Sequence, residues 1–265
     1  MKIGVFDSGL GGLITLKALA KTLPQYDYVY LGDTKRVPYG NRSHETIYQF
    51  LKEGVEFLFD HDCALVVVAC NTASAEALRT LQQNFLAKKY PDRRVLGMII
   101  PLAEECVSFK KVGLIGTTAT VSSGAYEREL KKRAPSVHLY SVATPLLVPL
   151  IENGELSLAT ETARKYLAPL TAKKIDALIL GCTHYPIIKN RIKKILPEGV
   201  RIISQDTVVP KKLREYLARH PEMEKRLSKK GRRVFAVTDV TPTLSTLAQK
   251  WFGAHVKIQK VSIGN

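Results

Sequence analysis

The stretches VVVACNT at residues 66–72 and LILGCTH at residues 178–184 decide the fold of this 265-residue chain. In each of them a continuous apolar run leads into a cysteine that is followed by polar residues. Continuous apolar strands are typical of parallel sheets that helices cover on both faces. The two stretches therefore predict buried parallel strands, with Cys70 and Cys182 at their carboxyl ends.

Apolar runs of this kind alternate with helical patterns along the chain. Strands are predicted over residues 3–6, 28–31, 65–69, 95–99, 112–115, 137–142, 177–180, 200–203 and 234–237. Leucines 13, 16, 19 and 23 recur at helical spacing. A second helix follows Ser43, which can cap it, with Glu45 in its first turn. These patterns predict an α/β protein with doubly wound parallel sheets.

A weak internal repeat relates two parts of the chain. Residues 3–9 (IGVFDSG) align with residues 112–118 (VGLIGTT) at an offset of 109, and the two cysteine stretches align at an offset of 112. We therefore expect two pseudo-symmetric lobes with the active site in the cleft between them, because ligands of open parallel sheets bind beyond the carboxyl ends of the strands. The first lobe is predicted to comprise residues 1–96 and 207–265, and the second lobe residues 97–206.

The chain is strongly basic, with 40 Lys or Arg against 24 Asp or Glu and a formal charge of +16. Residues 187–233 supply +10 of this charge. The stretch predicts two solvated amphipathic helices, over residues 187–196 and 209–219. Nucleic-acid binding is the alternative, because clustered basic residues attract phosphate, but no recognition pattern favours it.

Four cysteines, at positions 63, 70, 106 and 182, are too sparse for a disulfide scaffold and indicate a reducing compartment. No apolar run approaches the length of a membrane helix. The chain passes from Lys2 directly into its first predicted strand, which leaves no room for a secretory leader. We therefore expect a cytoplasmic protein with no membrane partner.

Four loops at strand ends supply small polar residues that could hold a ligand. They are residues 7–12, residues 32–41 and the loops that contain Cys70 and Cys182. Free N–H groups at the helix starts can bind a carboxylate, which favours an anionic small molecule.

The glycine-rich loop over residues 9–12 has two alternative interpretations. With Asp33 it is compatible with a dinucleotide site, but Ile14 replaces the third glycine and Asp7 would meet the pyrophosphate. The loop could also be a purely structural tight turn.

A cysteine at a strand end is often a small packing residue, but two at matched positions favour chemistry. Both precede predicted helix starts, which are expected to lower a thiol pKa. A zinc site of Cys70, Cys182, His184 and one carboxylate is an alternative that lacks the usual paired spacing. A Cys-His hydrolase would leave one thiol idle. Two thiols on facing lobes suit the inversion of a stereocentre, in which one removes a proton and the other delivers one to the opposite face.

Four motifs resemble those of the glutamate racemases over essentially the whole chain. They are residues 6–12 (FDSGLGG), 37–40 (VPYG), 69–74 (ACNTAS) and 180–186 (LGCTHYP). The resemblance implies interconversion of L- and D-glutamate without a cofactor or metal, with D-glutamate feeding peptidoglycan synthesis, and a homodimer. It implies Cys70 and Cys182 as the acid/base pair and Glu152 as an acid near the second thiol.

The resemblance also implies a set of substrate-binding residues. They are Asp7, Ser8, Tyr39, Gly40, Asn71, Thr72, Thr183 and His184. Asp7 and His184 are further expected to orient the thiols or relay protons to them. For Glu152, an ordinary carboxylate at a helix end is the alternative.

Two positions depart from the family pattern. Asn41 stands where many relatives carry Thr, and residues 204–207 (SQDT) fit the expected Asp-Ser turn only loosely, which we expect to affect lobe packing rather than chemistry. Because the chain begins at its first strand, regulation by a cell-wall precursor through an N-terminal extension is not expected. An aspartate or broad-specificity racemase, and a basic nucleic-acid- or partner-binding protein with the same fold, remain as alternatives.

Overall fold

The computed structural model describes residues 1–253 and 256–264 and contains two sheets in which all strands pair in parallel. In chain order the strands are β1 (Lys2–Asp7), β2 (Tyr28–Gly32), β3 (Cys63–Val68), β4 (Arg94–Leu96), β5 (Lys111–Gly116), β6 (His138–Ala143), β7 (Ala177–Gly181), β8 (Arg201–Ser204), β9 (Arg233–Val237) and β10 (Ile258–Lys260). The predicted α/β class with parallel sheets is confirmed.

Helices alternate with these strands. In chain order they are α1 (Gly12–Thr22), α2 (His44–Asp60), α3 (Asn71–Glu76), α4 (Leu78–Thr80), α5 (Ala87–Lys89), α6 (Ile99–Glu104), α7 (Thr118–Ser122), α8 (Ala125–Arg133), α9 (Leu147–Glu152), α10 (Leu156–Ala172), α11 (Lys189–Ile195), α12 (Gln205–Arg219), α13 (Pro221–Glu224) and α14 (Pro242–Trp251). Two 3₁₀ turns cover Tyr39–Asn41 and Tyr185–Ile188, and a π-helical turn covers Leu81–Leu86. The Ser43 side chain caps α2 by accepting a hydrogen bond from the Thr46 N–H, as predicted.

The first sheet has the strand order β10-β9-β2-β1-β3-β4 and the second has the order β6-β5-β7-β8. Chain order reverses beside β1 in one sheet and beside β5 in the other, as it does in doubly wound folds. Every residue of β3 and β7 is buried, which explains why their sequences are apolar without alternation.

The strand pairing preserves the internal repeat residue by residue. Ile3 of β1 pairs with Leu65 of β3, and Val112 of β5 pairs with Ala177 of β7. These partners are related by the same offsets of 109 and 112 that align the sequences. The repeat therefore describes two equivalent sets of strands, and the two-sheet arrangement agrees with the expected pseudo-symmetric lobes.

A continuous cluster of buried side chains runs from the first sheet through α1, α6 and α12 to the second sheet. The strands of the first sheet come from residues 2–96 and 233–260, and those of the second from residues 111–204. The exact lobe boundaries at residues 97 and 207 stay predictions.

The fourth strand is shorter than the predicted residues 95–99. It ends at Leu96, and α6 begins at Ile99. At Gly97 the backbone passes so close to Leu78 that a β-carbon would overlap that side chain, and the Met98 N–H is donated to Ser74 Oγ at 3.3 Å. The prediction did not include β10, whose three residues contain only one apolar side chain.

The two predicted basic helices have different bounds in the structure. Pro186 lies in a 3₁₀ turn, so α11 begins only at Lys189. In contrast, α12 begins at Gln205, four residues before the predicted start at position 209. Across the described residues, none of the helices is both long and apolar enough to cross a membrane.

Candidate active site

A cavity of about 290 Å³ lies between the carboxyl ends of the two sheets. Of the predicted site residues, all but Asp7 line it: Ser8, Tyr39, Gly40, Cys70, Asn71, Thr72, Glu152, Cys182, Thr183 and His184. A larger groove of about 830 Å³ contains none of these residues. The loops that follow matched strands therefore meet at the smaller cavity.

Cys70 caps the short helix α3, and its sulfur accepts a hydrogen bond from the Ala73 N–H at 3.4 Å. The hydroxyl of Ser8 lies 3.4 Å from the same sulfur. Burial raises the pKa of the Cys70 thiol to about 12, and the negative charge of Asp7 adds to the rise. The expectation that the helix start lowers this pKa is therefore wrong, because burial outweighs the hydrogen bonds from Ser8 and Ala73.

Cys182 lies at the end of β7, but the expected helix does not start immediately after it. A turn over Thr183 and His184 comes first, and the following 3₁₀ turn begins at Tyr185. The Cys182 sulfur instead lies 3.8 Å from Nδ1 of His184. All four cysteines are free and buried.

His184 is buried, and its imidazole connects the cavity with Glu152. Its Nε2 lies 2.9 Å from Oε1 of Glu152, which is the last residue of α9. Burial lowers the pKa of His184, but the hydrogen bonds to Cys182 and Glu152 outweigh it and raise the pKa to about 10. An imidazolium cation therefore lies beside the Cys182 sulfur at neutral pH. The edge of the ring also packs against Trp251 of α14, with 5.5 Å between ring centroids.

Asp7 ends β1 beneath the cavity and is completely buried. Its Oδ2 accepts hydrogen bonds from the N–H groups of Gly9 and Gly12 at 3.2 and 3.0 Å, whereas Oδ1 has no partner. Burial raises its pKa, although His184 and the two backbone amides lower it. These amides are the groups that a dinucleotide pyrophosphate would need, so the glycine loop does not fit that ligand.

Glycines allow the two lobes to approach closely. A β-carbon at Gly11 would overlap the Thr183 hydroxyl and would lie 2.7 Å from Nδ1 of His184. A β-carbon at Gly40 would lie 3.1 Å from Cβ of Thr117. Loops of the first sheet therefore touch loops of the second at the cavity wall.

The predicted binding residues Tyr39, Asn71 and Thr72 already have hydrogen-bond partners. The Tyr39 hydroxyl is donated to Oδ2 of Asp33 at 2.6 Å, so it fixes the 33–41 loop. The Thr72 hydroxyl lies 2.9 Å from that of Thr117. The Asn71 amide has a partner at each end, Gln205 at its nitrogen and Tyr126 at its oxygen.

The list of individual site residues predicted from the sequence lacks ten others that line the cavity, although Gly9, Val37, Pro38 and Asn41 lie in the predicted ligand loops. The ten are Gly9, Val37, Pro38, Asn41, Thr117, Thr118, Thr144, Pro145, Val148 and Pro149. A signal for Thr117 was present, because the internal repeat aligns it with Ser8. Asn41, the first departure from the family pattern, is thus a wall residue.

Six of the fifteen basic residues in the stretch over residues 187–233 form ion pairs with carboxylates. Ion pairs of 3.0 Å or less join Lys189 to Asp206, Lys212 to Glu104, Arg226 to Asp92, Lys229 to Glu224 and Arg232 to Asp27. Pairing therefore neutralises only part of this positive charge, and nucleic-acid binding stays an alternative with no recognition pattern behind it.

Within residues 1–253 and 256–264, no three His, Cys, Asp or Glu side chains are grouped so that they could hold a metal ion. The zinc alternative therefore has no complete ligand set in the structure. The arrangement instead places one thiol from each lobe at a shared cavity, with Ser8 beside the first and His184 beside the second. Such a pair can remove and deliver protons.

Comparison with known proteins finds amino-acid racemases at the level of both the family model and individual relatives. The family model described as Asp/Glu/Hydantoin racemase matches residues 13–209. Glutamate racemase of Aquifex aeolicus is 46% identical over 222 residues, covering 82% of this chain and 84% of that protein. Glutamate racemase of Geobacter metallireducens is 40% identical over 259 residues, covering 96% and 93% of the two chains.

The fold gives the same result. The crystal structure of glutamate racemase from Francisella tularensis in complex with D-glutamate superposes with a TM-score of 0.88 at 36% identity, covering 98% of this chain and 97% of that one. The family model spans most of the chain, and the matches to these relatives cover 82% to 98% of it. The chain therefore belongs to the Asp/Glu/Hydantoin racemase family, a family of isomerases.

Proposed function

We propose that this protein interconverts L- and D-glutamate without a cofactor, with Cys70 and Cys182 as the two acid/base groups. The observation that carries the proposal is that the two thiols follow matched strands, β3 and β7, and line one cavity. Relatives of this chain that carry the name glutamate racemase support glutamate as the substrate. The crystal structure of one such enzyme in complex with D-glutamate supports the same substrate class.

The reaction needs a base on one face of the α-carbon and an acid on the other. One thiolate removes the α-proton, and the opposite thiol donates its proton to the other face of the carbanion. Each turnover exchanges the protonation states of the two cysteines, so the reverse reaction uses them in opposite roles. The shared cavity supports this mechanism because the two groups come from opposite lobes.

The surroundings of the two sulfurs favour one starting state. Burial raises the pKa of Cys70, which favours the protonated thiol and the role of proton donor. The Cys182 sulfur lies 3.8 Å from Nδ1 of His184, a group that can exchange a proton with it. We infer that Cys70 starts as the acid, so that the opposite group, Cys182, takes the role of base, and that Glu152 holds the His184 ring beside it.

The remaining proposed roles concern binding. Small polar groups of both lobes that line the cavity are proposed to hold the amino group and the two carboxylates of the substrate: Ser8, Tyr39, Gly40, Asn71, Thr72, Thr183 and His184. Asp7 lies beneath the cavity and does not line it, so its proposed role is to act on the Cys70 thiol rather than to bind the substrate. The hydrogen bond from Tyr39 to Asp33 supports a role for its loop rather than for its hydroxyl. Thr117, which the repeat relates to Ser8, is added to the set because it lines the same cavity.

The biological setting is proposed from the family resemblance. D-glutamate is proposed to serve peptidoglycan synthesis, which places the enzyme in the cytoplasm. The free state of all four cysteines supports a reducing compartment. A homodimer and the division into lobes at residues 97 and 207 belong to the same proposal.

The decisive experiment measures racemisation of L-glutamate and L-aspartate side by side, with the purified protein and no added cofactor. We expect turnover of glutamate and much weaker turnover of aspartate. Cys70→Ala and Cys182→Ala should each reduce kcat by at least about 10²-fold in both directions, because every turnover needs one acid and one base.

Cys106→Ala is the matched control, since Cys106 is buried but does not line the cavity. It should retain the activity of the unmodified protein. If aspartate is turned over at a rate comparable to that of glutamate, the protein is a broad-specificity racemase and the proposed selectivity for glutamate is wrong. Near-normal activity of either Cys70→Ala or Cys182→Ala would contradict the two-thiol mechanism.

A further inference from the structure

Gln205 occupies an unusual place for a polar side chain. It is the first residue of α12, directly after β8 of the second sheet, and it is completely buried. It also lies in the 204–207 segment, where the sequence departs from the family pattern. A buried amide must find hydrogen-bond partners, because leaving it unpaired is costly.

Both ends of the Gln205 amide have partners on the first lobe. Its Nε2 donates to the Thr15 hydroxyl of α1 at 2.6 Å, and its Oε1 accepts from Nδ2 of Asn71 at 2.6 Å. Thr15 is as fully buried as Gln205, and Asn71 is only 2% exposed. Gln205 therefore connects two elements that are distant from it in sequence.

Asn71 is held from a second direction as well. The Tyr126 hydroxyl of α8 donates to Oδ1 of Asn71 at 2.7 Å. The Asn71 side chain thus comes from the loop after β3, but residues that follow strands of the second sheet fix both ends of its amide. Asn71 lines the cavity directly beside Cys70.

We propose that Gln205 is a positioning residue that holds the Asn71 side chain in the orientation required to bind the substrate. This inference rests on the proposed function, in which Asn71 is a substrate-binding residue. The bond to Thr15 is a separate contact that joins α12 to α1, whereas the bond to Asn71 alone acts on the cavity. The orientation of a binding group in one lobe therefore depends on how α12 sits between the lobes.

The test uses Gln205→Met, which has nearly the same shape and no hydrogen-bonding group. Losing one orienting hydrogen bond should raise KM for glutamate roughly threefold to tenfold. The value of kcat should change by less than about twofold, because uniform binding is affected. Thr15→Val is the matched control: it removes the other bond of Gln205 but leaves Asn71 its partner, so it should lower the thermal stability and leave KM nearly unchanged.

A double-mutant cycle separates positioning from a general structural effect. If Gln205 acts through Asn71, Gln205→Met should cause no further rise in KM in an Asn71→Ala background. A KM effect of equal size in both backgrounds, or an unchanged KM in the folded single variant, would overturn the inference. If Gln205→Met does not fold, the same cycle is run with Gln205→Asn, whose amide is too short to reach both partners.

The unmodified protein distinguishes the two proposals. If it does not racemise glutamate, the proposed function fails before Gln205 is tested. If it does racemise glutamate and the Gln205 variants match it in KM, only the positioning role is wrong.

Discussion

His184 Nε2 lies 2.9 Å from Oε1 of Glu152, while Nδ1 of the same ring faces the sulfur of Cys182 at 3.8 Å. The imidazole therefore separates a half-exposed carboxylate from a buried thiol. Hydrogen bonds on both sides offset the effect of burial and keep the pKa of His184 near 10. The ring carries a positive charge below that pH and loses it above.

Glu152→Gln should shift the alkaline limb of the activity profile to lower pH. Removing the carboxylate lowers the pKa of His184 from about 10 toward its ordinary value, so the imidazolium is lost at a lower pH. The measurement is kcat/KM for glutamate as a function of pH between about 6 and 10. Glu155→Gln is the control: it removes a carboxylate three residues further along the chain, outside the cavity, and should leave the profile unchanged.

The proton added to the product should come from solvent. In D₂O, initial D-glutamate formed from L-glutamate should carry deuterium at the α-carbon, because the donating thiol exchanges with solvent before each turnover. Unreacted L-glutamate should remain largely protiated at early times. Mass spectrometry or proton NMR of the separated enantiomers makes the measurement, and early product that retains protium would exclude two separate acid/base groups.

Tyr39→Phe should affect stability more than catalysis. The lost hydroxyl donates to the buried Asp33, so the free energy of unfolding should fall by about 1 kcal/mol, with little change in KM. Thermal denaturation and steady-state kinetics measure the two effects, with Tyr26→Phe, which loses a hydrogen bond to Glu224, as the comparison. A large rise in KM with unchanged stability would show that the hydroxyl binds substrate.

Gly11→Ala should lower activity, because it disturbs the contact between the two lobes at the cavity wall. The added methyl group would overlap the Thr183 hydroxyl and crowd His184, which forces the two lobes apart or displaces these side chains. We expect kcat/KM to fall by more than about tenfold, since overpacking of this kind costs on the order of 1–3 kcal/mol. Gly9→Ala, where the nearest atom would be 3.4 Å away, should have a clearly smaller effect. Equal effects of the two changes would contradict the close approach of the lobes.

The sequence contains enough information to predict the two sheets and most of the cavity. Buried parallel strands leave continuous apolar runs, and parallel strands bring their carboxyl ends to one edge, so the strand-end residues Ser8, Cys70 and Cys182 were predictable. The internal repeat relates β1 to β5 and β3 to β7, and the structure shows that the two pairs have equivalent registers.

Properties that depend on distant contacts were not predictable in this way. The raised pKa of Cys70 results from complete burial and from Asp7, neither of which helix position reveals. Gln205 contacts Thr15 and Asn71, each more than a hundred residues away in the chain, so local sequence patterns give no sign of the network. The strand β10 depends on its partner β9 and lacks a local apolar pattern.

The repeat aligns Asp7 with Gly116 and His184 with Thr72, so each lobe supports its thiol with a group that the other lobe lacks. Enantiomers have equal free energies in water, and the equilibrium constant of a racemisation is therefore one. The Haldane relation then requires kcat/KM to be equal in the two directions, however unequal the two sides of the site. The imbalance between the lobes can appear only as paired changes in kcat and KM, so that the enantiomer with the lower KM also has the lower kcat.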